Sequence, residues 1–87
     1  MSITVRKPSD EEIAKMKAQP TWGCDISTFK WTYACEETAF IIEGEVTVSY
    51  DGGEEFIQAG DYVVFPAGLN TIWDVTKPIK KHYLFEE

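Results

Sequence analysis

The sequence around Glu37 suggests a chemical role for this acidic residue. It follows Trp31 and Tyr33, two aromatic residues that are two positions apart and therefore share one face of a strand. A carboxyl group held against aromatic rings is disfavoured in its charged form unless a hydroxyl group donates a hydrogen bond to it. Such a group suits proton transfer, or recognition of an amine or hydroxyl group on a ligand. Glu37 is therefore the candidate general acid or base.

Two cysteines and one histidine are the other residues of types that often carry chemistry. Cys24 and Cys35 have no adjacent basic partner and no zinc-like spacing, so we interpret both as reduced structural thiols. Strand alternation places His82 opposite an apolar face that contains Tyr83, which directs the histidine away from the interior. Lys81 falls on that apolar face as well, so which face of this strand points into the barrel stays open. His82 therefore remains a secondary candidate for a residue of the pocket.

Length and charge limit the classes of function. A chain of 87 residues without a linker-like segment forms one domain, and so small a core often needs oligomerisation, so a homodimer is expected. The formal net charge of −7, with scattered basic residues, disfavours binding to nucleic acid. No apolar stretch approaches the roughly 20 residues that span a bilayer, and the first residues lack a secretory signal pattern. These features predict no membrane partner and a cytoplasmic location.

The first elements that must position these residues are a strand and a helix. Residues 3–7 alternate weakly and are predicted to form an edge strand. Ser9 and Glu12 have the spacing of a capping box, which predicts that one short helix follows, and Pro20 ends it. From Ile26 onward the periodicity of apolar residues is two, which indicates strands.

The rest of the chain reads as a series of short strands. Residues 34–36 are predicted to be a tight hairpin that returns the chain into a strand beginning at Glu37. Gly44 interrupts that strand and predicts a bend or bulge, and residues 51–53 supply the glycines of another hairpin turn. Further strands are predicted at residues 54–59, 62–65, 71–75 and 79–85. This rhythm, with one short helix, is typical of an all-β sandwich or jelly-roll barrel.

Two stretches resemble the two cupin motifs. The first motif ends in His-x-His, three or four residues, Glu, six residues and Gly, and Glu37 and Gly44 reproduce its second half. The second runs Gly, five residues, Pro-x-Gly, two residues, His, three residues, Asn, and its frame is present as Gly60, Pro66 and Gly68. Residues 22–24, 29–33, 40–46 and 60–68 are similar to the ureidoglycine aminohydrolase-like branch. The resemblance implies a single-domain cupin with a strand and helix arm (residues 1–21) and an antiparallel jelly-roll β-barrel (residues 22–87).

The histidines of the motifs are replaced in this chain. Trp31 and Tyr33 occupy the first two histidine positions, and Thr71 occupies the third. Trp is not a ligand, and neutral hydroxyl groups bind divalent cations poorly, so no tightly bound metal is expected. The alternative is a weak divalent site completed by backbone carbonyls, Cys35 or water. The resemblance gathers the following side chains in one pocket inside an open end of the barrel: Trp31, Tyr33, Glu37, Thr71 and Trp73.

Three functions are compatible with these residues. The first is a cupin that binds a small polar, nitrogen-containing metabolite between aromatic walls, with Glu37 and Thr71 as polar contacts and no tightly bound metal. The second is an enzyme of the ureidoglycine aminohydrolase-like type, with Glu37 as a metal-free acid or base or with a weakly held divalent cation. The third is a structural or interaction module whose aromatic side chains fill the barrel.

Overall fold

The structure, a computed structural model, describes residues 1–86 as seven strands and one short helix. In chain order the elements are β1 (Thr4–Arg6), α1 (Asp10–Lys17), β2 (Thr21–Cys24), β3 (Ser27–Thr32), β4 (Glu36–Tyr50), β5 (Gly53–Gln58), β6 (Tyr62–Phe65) and β7 (Asn70–Glu86). β7 pairs antiparallel with β2, β3 and β4, whereas β4 also pairs with β5 and β6, and β6 pairs with β1. The predicted all-β fold with one short N-terminal helix is confirmed.

The N-terminal segment joins the sheet and carries a capped helix. β1 pairs with β6, so the predicted edge strand lies in the same sheet as the rest of the fold. The Ser9 hydroxyl accepts a hydrogen bond from the Glu12 backbone N–H at 3.2 Å, and the Glu12 carboxylate accepts one from the Ser9 N–H at 2.9 Å. These two bonds satisfy donors that the first turn of α1 leaves free, which confirms the predicted capping box. α1 buries Met16 against the sheet.

β4 and β7 are long, irregular partners. The predicted strands at residues 71–75 and 79–85 are one continuous strand, which is a correction to the sequence analysis. Pro78 lacks a backbone N–H, and the register of the β4–β7 ladder shifts between the pairs Glu43–Lys80 and Glu45–Lys77 that flank it. Gly44 lies opposite this point with a φ of 92°, a conformation that favours glycine. The predicted bulge at Gly44 is therefore confirmed.

The hairpin predicted at residues 34–36 is wrong. β3 pairs with the first half of β7, whereas the start of β4 pairs with β6 and with the last part of β7. The Tyr33 N–H donates to the Leu69 carbonyl at 3.0 Å, and the Gly68 N–H donates to the Tyr33 carbonyl at 2.6 Å. These bonds hold the end of β3 against the turn that precedes β7. Residues 33–35 consequently cross between two parts of the sheet.

The core lies inside the curled sheet. Alternate residues are buried in β7 and in the second half of β4, whereas residues 37–41 of β4 are all buried. The fully enclosed members of the core include Ala39, Ile41, Val46, Val48, Ile57, Val63, Phe65 and Val75. Cys24 and Cys35 are both free thiols and partly buried. Within residues 1–86, no helix has the length and apolar character needed to cross a membrane.

Candidate functional site

One end of the sheet encloses an aromatic cavity of about 210 Å³. Its walls come from β2, β3, β4 and β7 and from the segment after β3. The lining residues are Trp22, Phe29, Trp31, Tyr33, Glu37, Trp73, Lys81, Tyr83 and Phe85. Trp31 and Phe85 are both 49% exposed and lie at the rim, whereas Tyr33 and Trp73 are buried. The interior is therefore open at this end.

An ion pair between Lys81 and Glu37 forms the polar part of the cavity wall. The Lys81 ammonium donates a hydrogen bond to the Glu37 carboxylate, and the two residues are 6% and 2% exposed. Lys81 lies on β7 at an inward-facing position between Ile79 and Tyr83, and Glu37 lies near the start of β4. Two charges removed from water need such mutual compensation, because a lone buried charge is costly.

Aromatic rings surround the Lys81 ammonium. Its Nζ lies 4.9 Å from the centroid of the Trp73 ring, 5.2 Å from that of Trp22 and 5.8 Å from that of Phe65. Ring faces are electron-rich, so they stabilise the cationic form of the lysine. Burial acts in the opposite direction and is the stronger influence, so the pKa of Lys81 is lowered, although the Glu37 carboxylate offsets part of the effect. The lysine can therefore lose its proton more easily than a solvated lysine can.

Tyr33 and Trp73 form a second polar contact in the wall. The Trp73 indole N–H donates to the Tyr33 hydroxyl at 3.2 Å, and the Tyr33 ring stacks on Phe65 at a centroid distance of 4.6 Å. Burial raises the pKa of Tyr33 well above its usual value of 10.0, and the nearby Glu37 adds to the rise. Tyr33 therefore stays a neutral hydroxyl group in the folded protein.

Tyr33→Phe is expected to change how stability depends on alkaline pH. At neutral pH the variant should lose about 1 kcal/mol, because the Trp73 indole loses its acceptor. Above pH 10, the unfolded wild-type chain releases the Tyr33 proton while the folded protein keeps it, so wild-type stability falls as pH rises. The variant lacks this loss, so its slope should be shallower by ~1.4 kcal/mol per pH unit. Urea unfolding at neutral pH and at about pH 11 measures both effects; equal slopes would contradict the burial of this hydroxyl.

The structure brings four of the five predicted site residues together. Trp31, Tyr33, Glu37 and Trp73 all line the cavity, although they face one another across the sheet and not across a hairpin. Thr71 does not line it. The Thr71 hydroxyl donates to the Trp31 carbonyl at 2.7 Å, which ties β3 to β7, and the residue borders a separate open depression.

His82 and Cys35, the other candidate residues, do not line the cavity. The Nδ1 atom of His82 is 2.9 Å from the Gln19 carbonyl, so the histidine packs against the segment after α1, as its predicted outward orientation requires. Cys35 borders a shallow surface depression with Ala67 and Glu86. Neither side chain is placed to act on a molecule in the cavity.

Lys81 is the charged residue of the cavity wall that the sequence did not predict. Trp22, Phe29, Tyr83 and Phe85 complete the lining and were also absent from the predicted site. A signal for Lys81 existed, because strand alternation already placed this lysine on the inner face of β7. A buried lysine needs a counter-charge, and Glu37 was the acid assigned to the interior.

The donors in the cavity do not suit a divalent cation of the kind that cupin motifs hold. The Glu37 carboxylate is engaged by an ammonium group, which would repel a second cation, and the Tyr33 hydroxyl is neutral. No group of three His, Cys, Asp or Glu side chains with metal-binding geometry occurs within residues 1–86. Lys81 thus places a positive charge beside Glu37, the carboxylate that this chain retains from the first cupin motif. That tightly bound metal is absent from the protein remains a prediction.

Comparison with known proteins gives a consistent fold and family. The family model of the EutQ-like cupin domain matches residues 11–83. The crystal structure of a DUF861 family protein from Thermotoga maritima superposes with a TM-score of 0.92 and 35% sequence identity, covering 98% of this chain and 100% of that chain. No curated protein matches the sequence.

Two more distant structures share the fold alone. The EutQ protein of Clostridium difficile is 22% identical with a TM-score of 0.66, covering 72% of this chain and 50% of its own. A putative ethanolamine utilization protein Q from Salmonella typhimurium is 20% identical with a TM-score of 0.63, covering 95% of this chain and 68% of its own. The present chain thus spans half to two thirds of the length of these proteins.

Proposed function

The chain belongs to the EutQ-like cupin family, and from this premise we propose that it binds a small uncharged molecule with a carbonyl or amide group, without a tightly bound metal. The observation that carries the proposal is the Lys81–Glu37 ion pair in the wall of an aromatic cavity. Its ammonium N–H groups can donate to a ligand oxygen, and its carboxylate can accept from a ligand N–H. An amide presents both groups side by side.

Size and charge narrow the class of ligand. The cavity of about 210 Å³ is below the range of roughly 300–1,000 Å³ that drug-sized ligands occupy, so the ligand has few heavy atoms. The ion pair is neutral as a whole, so a charged ligand would bring an uncompensated charge into a poorly hydrated site. The walls formed by Trp22, Phe29 and Trp73 favour a flat molecule that can stack on or pack edge-on against the rings.

Benzamide is a suitable probe because it is flat and uncharged and its amide group cannot form an imine. All three tryptophans of the chain line the cavity, so intrinsic tryptophan fluorescence reports directly on its occupation. We expect a saturable change in fluorescence as benzamide is added. Trp31→Ala should weaken binding by about threefold to tenfold, because a lost aromatic contact is worth roughly 0.5–1.5 kcal/mol.

Phe56→Ala is the matched control, because Phe56 is a similarly exposed aromatic residue that does not line the cavity. Its affinity for benzamide should equal that of the wild type. The proposal is wrong if benzamide gives no saturable signal, or if Trp31→Ala and Phe56→Ala bind it equally well. Benzoate, which has the same ring and a negative charge, is expected to bind more weakly than benzamide.

The narrower resemblance, to the ureidoglycine aminohydrolase-like cupins, stays a prediction. A ureido group has the same carbonyl acceptor beside N–H donors, so a ureide falls within the proposed class of ligand. The expected homodimer and cytoplasmic location are likewise predictions.

A further inference from the structure

We propose that Lys81 forms a reversible imine with small aldehydes or ketones that enter the cavity, and that Glu37 carries the protons of this reaction. The inference rests on the proposed function, since it requires that the cavity admits carbonyl compounds. It adds a covalent role for the lysine and names its substrate class.

The position of Lys81 meets the first requirement of a nucleophilic amine. Its side chain lines the cavity and is 6% exposed, so the lysine contacts little water and adjoins the space that a ligand would occupy. Aromatic rings replace the hydration shell that surrounds a solvated ammonium group. A lysine desolvated in an apolar pocket is a recognised form of activated nucleophile. The lowered pKa of Lys81 agrees with this placement.

Glu37 meets the second requirement, which is a group that removes and returns protons at the same nitrogen. Its carboxylate is in hydrogen-bond contact with Nζ, within the distance that direct proton transfer needs. Transfer of one proton from Lys81 to Glu37 converts the ion pair into a neutral amine and a neutral carboxylic acid. The two charges disappear together, so a site poor in water does not oppose this step.

The reaction balances without any further reactant. The Lys81 amine attacks the carbonyl carbon and forms the C–N bond, while the carbonyl oxygen takes the proton from Glu37 to give a carbinolamine. The Glu37 carboxylate then removes a proton from nitrogen and returns it to the hydroxyl group. The C–O bond breaks, water leaves and a protonated imine remains.

The charges at the end of the reaction match those at the start. One ammonium and one carbonyl group have become one iminium and one water molecule, so the net charge is unchanged. The iminium cation takes the place of the ammonium beside the Glu37 carboxylate. The rings of Trp22 and Trp73 that face the ammonium also stabilise this cation.

Reductive trapping with benzaldehyde and cyanoborohydride tests the inference. Cyanoborohydride converts the imine to a stable N-benzyl amine, and peptide mass spectrometry locates it. We expect benzylation of Lys81 to be faster than that of Lys80 by at least about tenfold, because Glu37 supplies acid–base catalysis only at Lys81. Lys80 is the internal control, because it is the preceding residue and its side chain is exposed.

Variants and a competitor separate the roles of the two residues. Lys81→Met should abolish the fast benzylation, whereas Lys80→Met should leave it unchanged. Glu37→Gln should slow it by about tenfold or more, because an amide cannot carry the proton. Where a variant does not fold, competition in the wild type tests the inference instead. Benzamide should slow the benzylation of Lys81 and leave that of Lys80 unchanged.

The outcomes distinguish this inference from the proposed function. If benzamide binds by tryptophan fluorescence but Lys81 is benzylated no faster than Lys80, the imine is wrong and the binding function stands. If benzamide does not bind and Lys81 is not benzylated preferentially, both the imine and the binding function are wrong. If Lys81 is benzylated as fast in Glu37→Gln as in the wild type, Glu37 does not carry the protons of the reaction.

Discussion

Lys81→Met is expected to lower the free energy of unfolding by about 3–5 kcal/mol, because it leaves the Glu37 carboxylate buried without its counter-charge. This loss is a large part of the 5–15 kcal/mol that typically stabilises a domain. The double variant Lys81→Met and Glu37→Leu should recover most of it, since apolar side chains of similar volume replace both charges. Urea unfolding of the wild type, the two single variants and the double variant gives the coupling energy of the pair.

A second lysine on the same strand provides the matched control. Lys77 forms an ion pair with Glu45 at 3.2 Å, but the Lys77 side chain is 66% exposed. Lys77→Met should therefore cost no more than about 1 kcal/mol. A cost of that size for Lys81→Met would mean that water reaches the Glu37 carboxylate. The description of the pair as desolvated would then be wrong.

Gly44→Ala should lower the free energy of unfolding by about 4 kcal/mol or more, a size that marks severe packing conflict. A Cβ atom at Gly44 would lie 2.7 Å from the Ile79 Cα and 2.8 Å from the Pro78 carbonyl carbon. Both are backbone atoms of β7, so neither can move away as a side chain would. The φ of 92° adds the strain of a left-handed conformation.

Gly52→Ala isolates the conformational part of that cost. Gly52 has a φ of 115°, but the nearest heavy atom to a Cβ there would be Tyr50 Cε2 at 3.8 Å. This variant should lose about 1–2 kcal/mol, from the left-handed backbone alone. Thermal or urea unfolding of both variants measures the difference. Equal losses would show that the close approach of Gly44 to β7 contributes nothing.

Local patterns in the sequence predicted the parts of the fold that local physics determines. The capping box at Ser9, the bulge at Gly44 and the turn at residues 51–53 depend on neighbouring residues or on the conformational freedom of glycine. The pairing of β3 was mispredicted, because a short connection can end a strand without folding it back on its neighbour. Partners forty residues away decide that pairing, as the bond between Thr71 and Trp31 shows.

The sequence predicted several of the residues that line the candidate site, but it did not predict the contacts that they make. Alternation and the cupin motifs together placed Tyr33, Glu37 and Trp73 on inner faces. They did not show that Thr71 would bond to backbone or that Lys81 would take the carboxylate of Glu37. The bond of Thr71 depends on the register of β3 against β7. The contact of Lys81 with Glu37 depends on how β4 and β7 are offset along their ladder, which shifts register near Gly44 and Pro78.

The placement of β7 between β4 on one side and β2 and β3 on the other governs when the cavity can assemble in a growing chain. β2 and β3 have their ladder partners in β7, which is made about forty to sixty residues after them. While a ribosome is still adding residues 70–86, β2 and β3 have no strand to pair with, and their unpaired backbone groups stay open to association with other nascent chains. Completion of β7 pairs both strands and brings Lys81 to Glu37, so the cavity and the pairing of β2 and β3 are acquired in the same step.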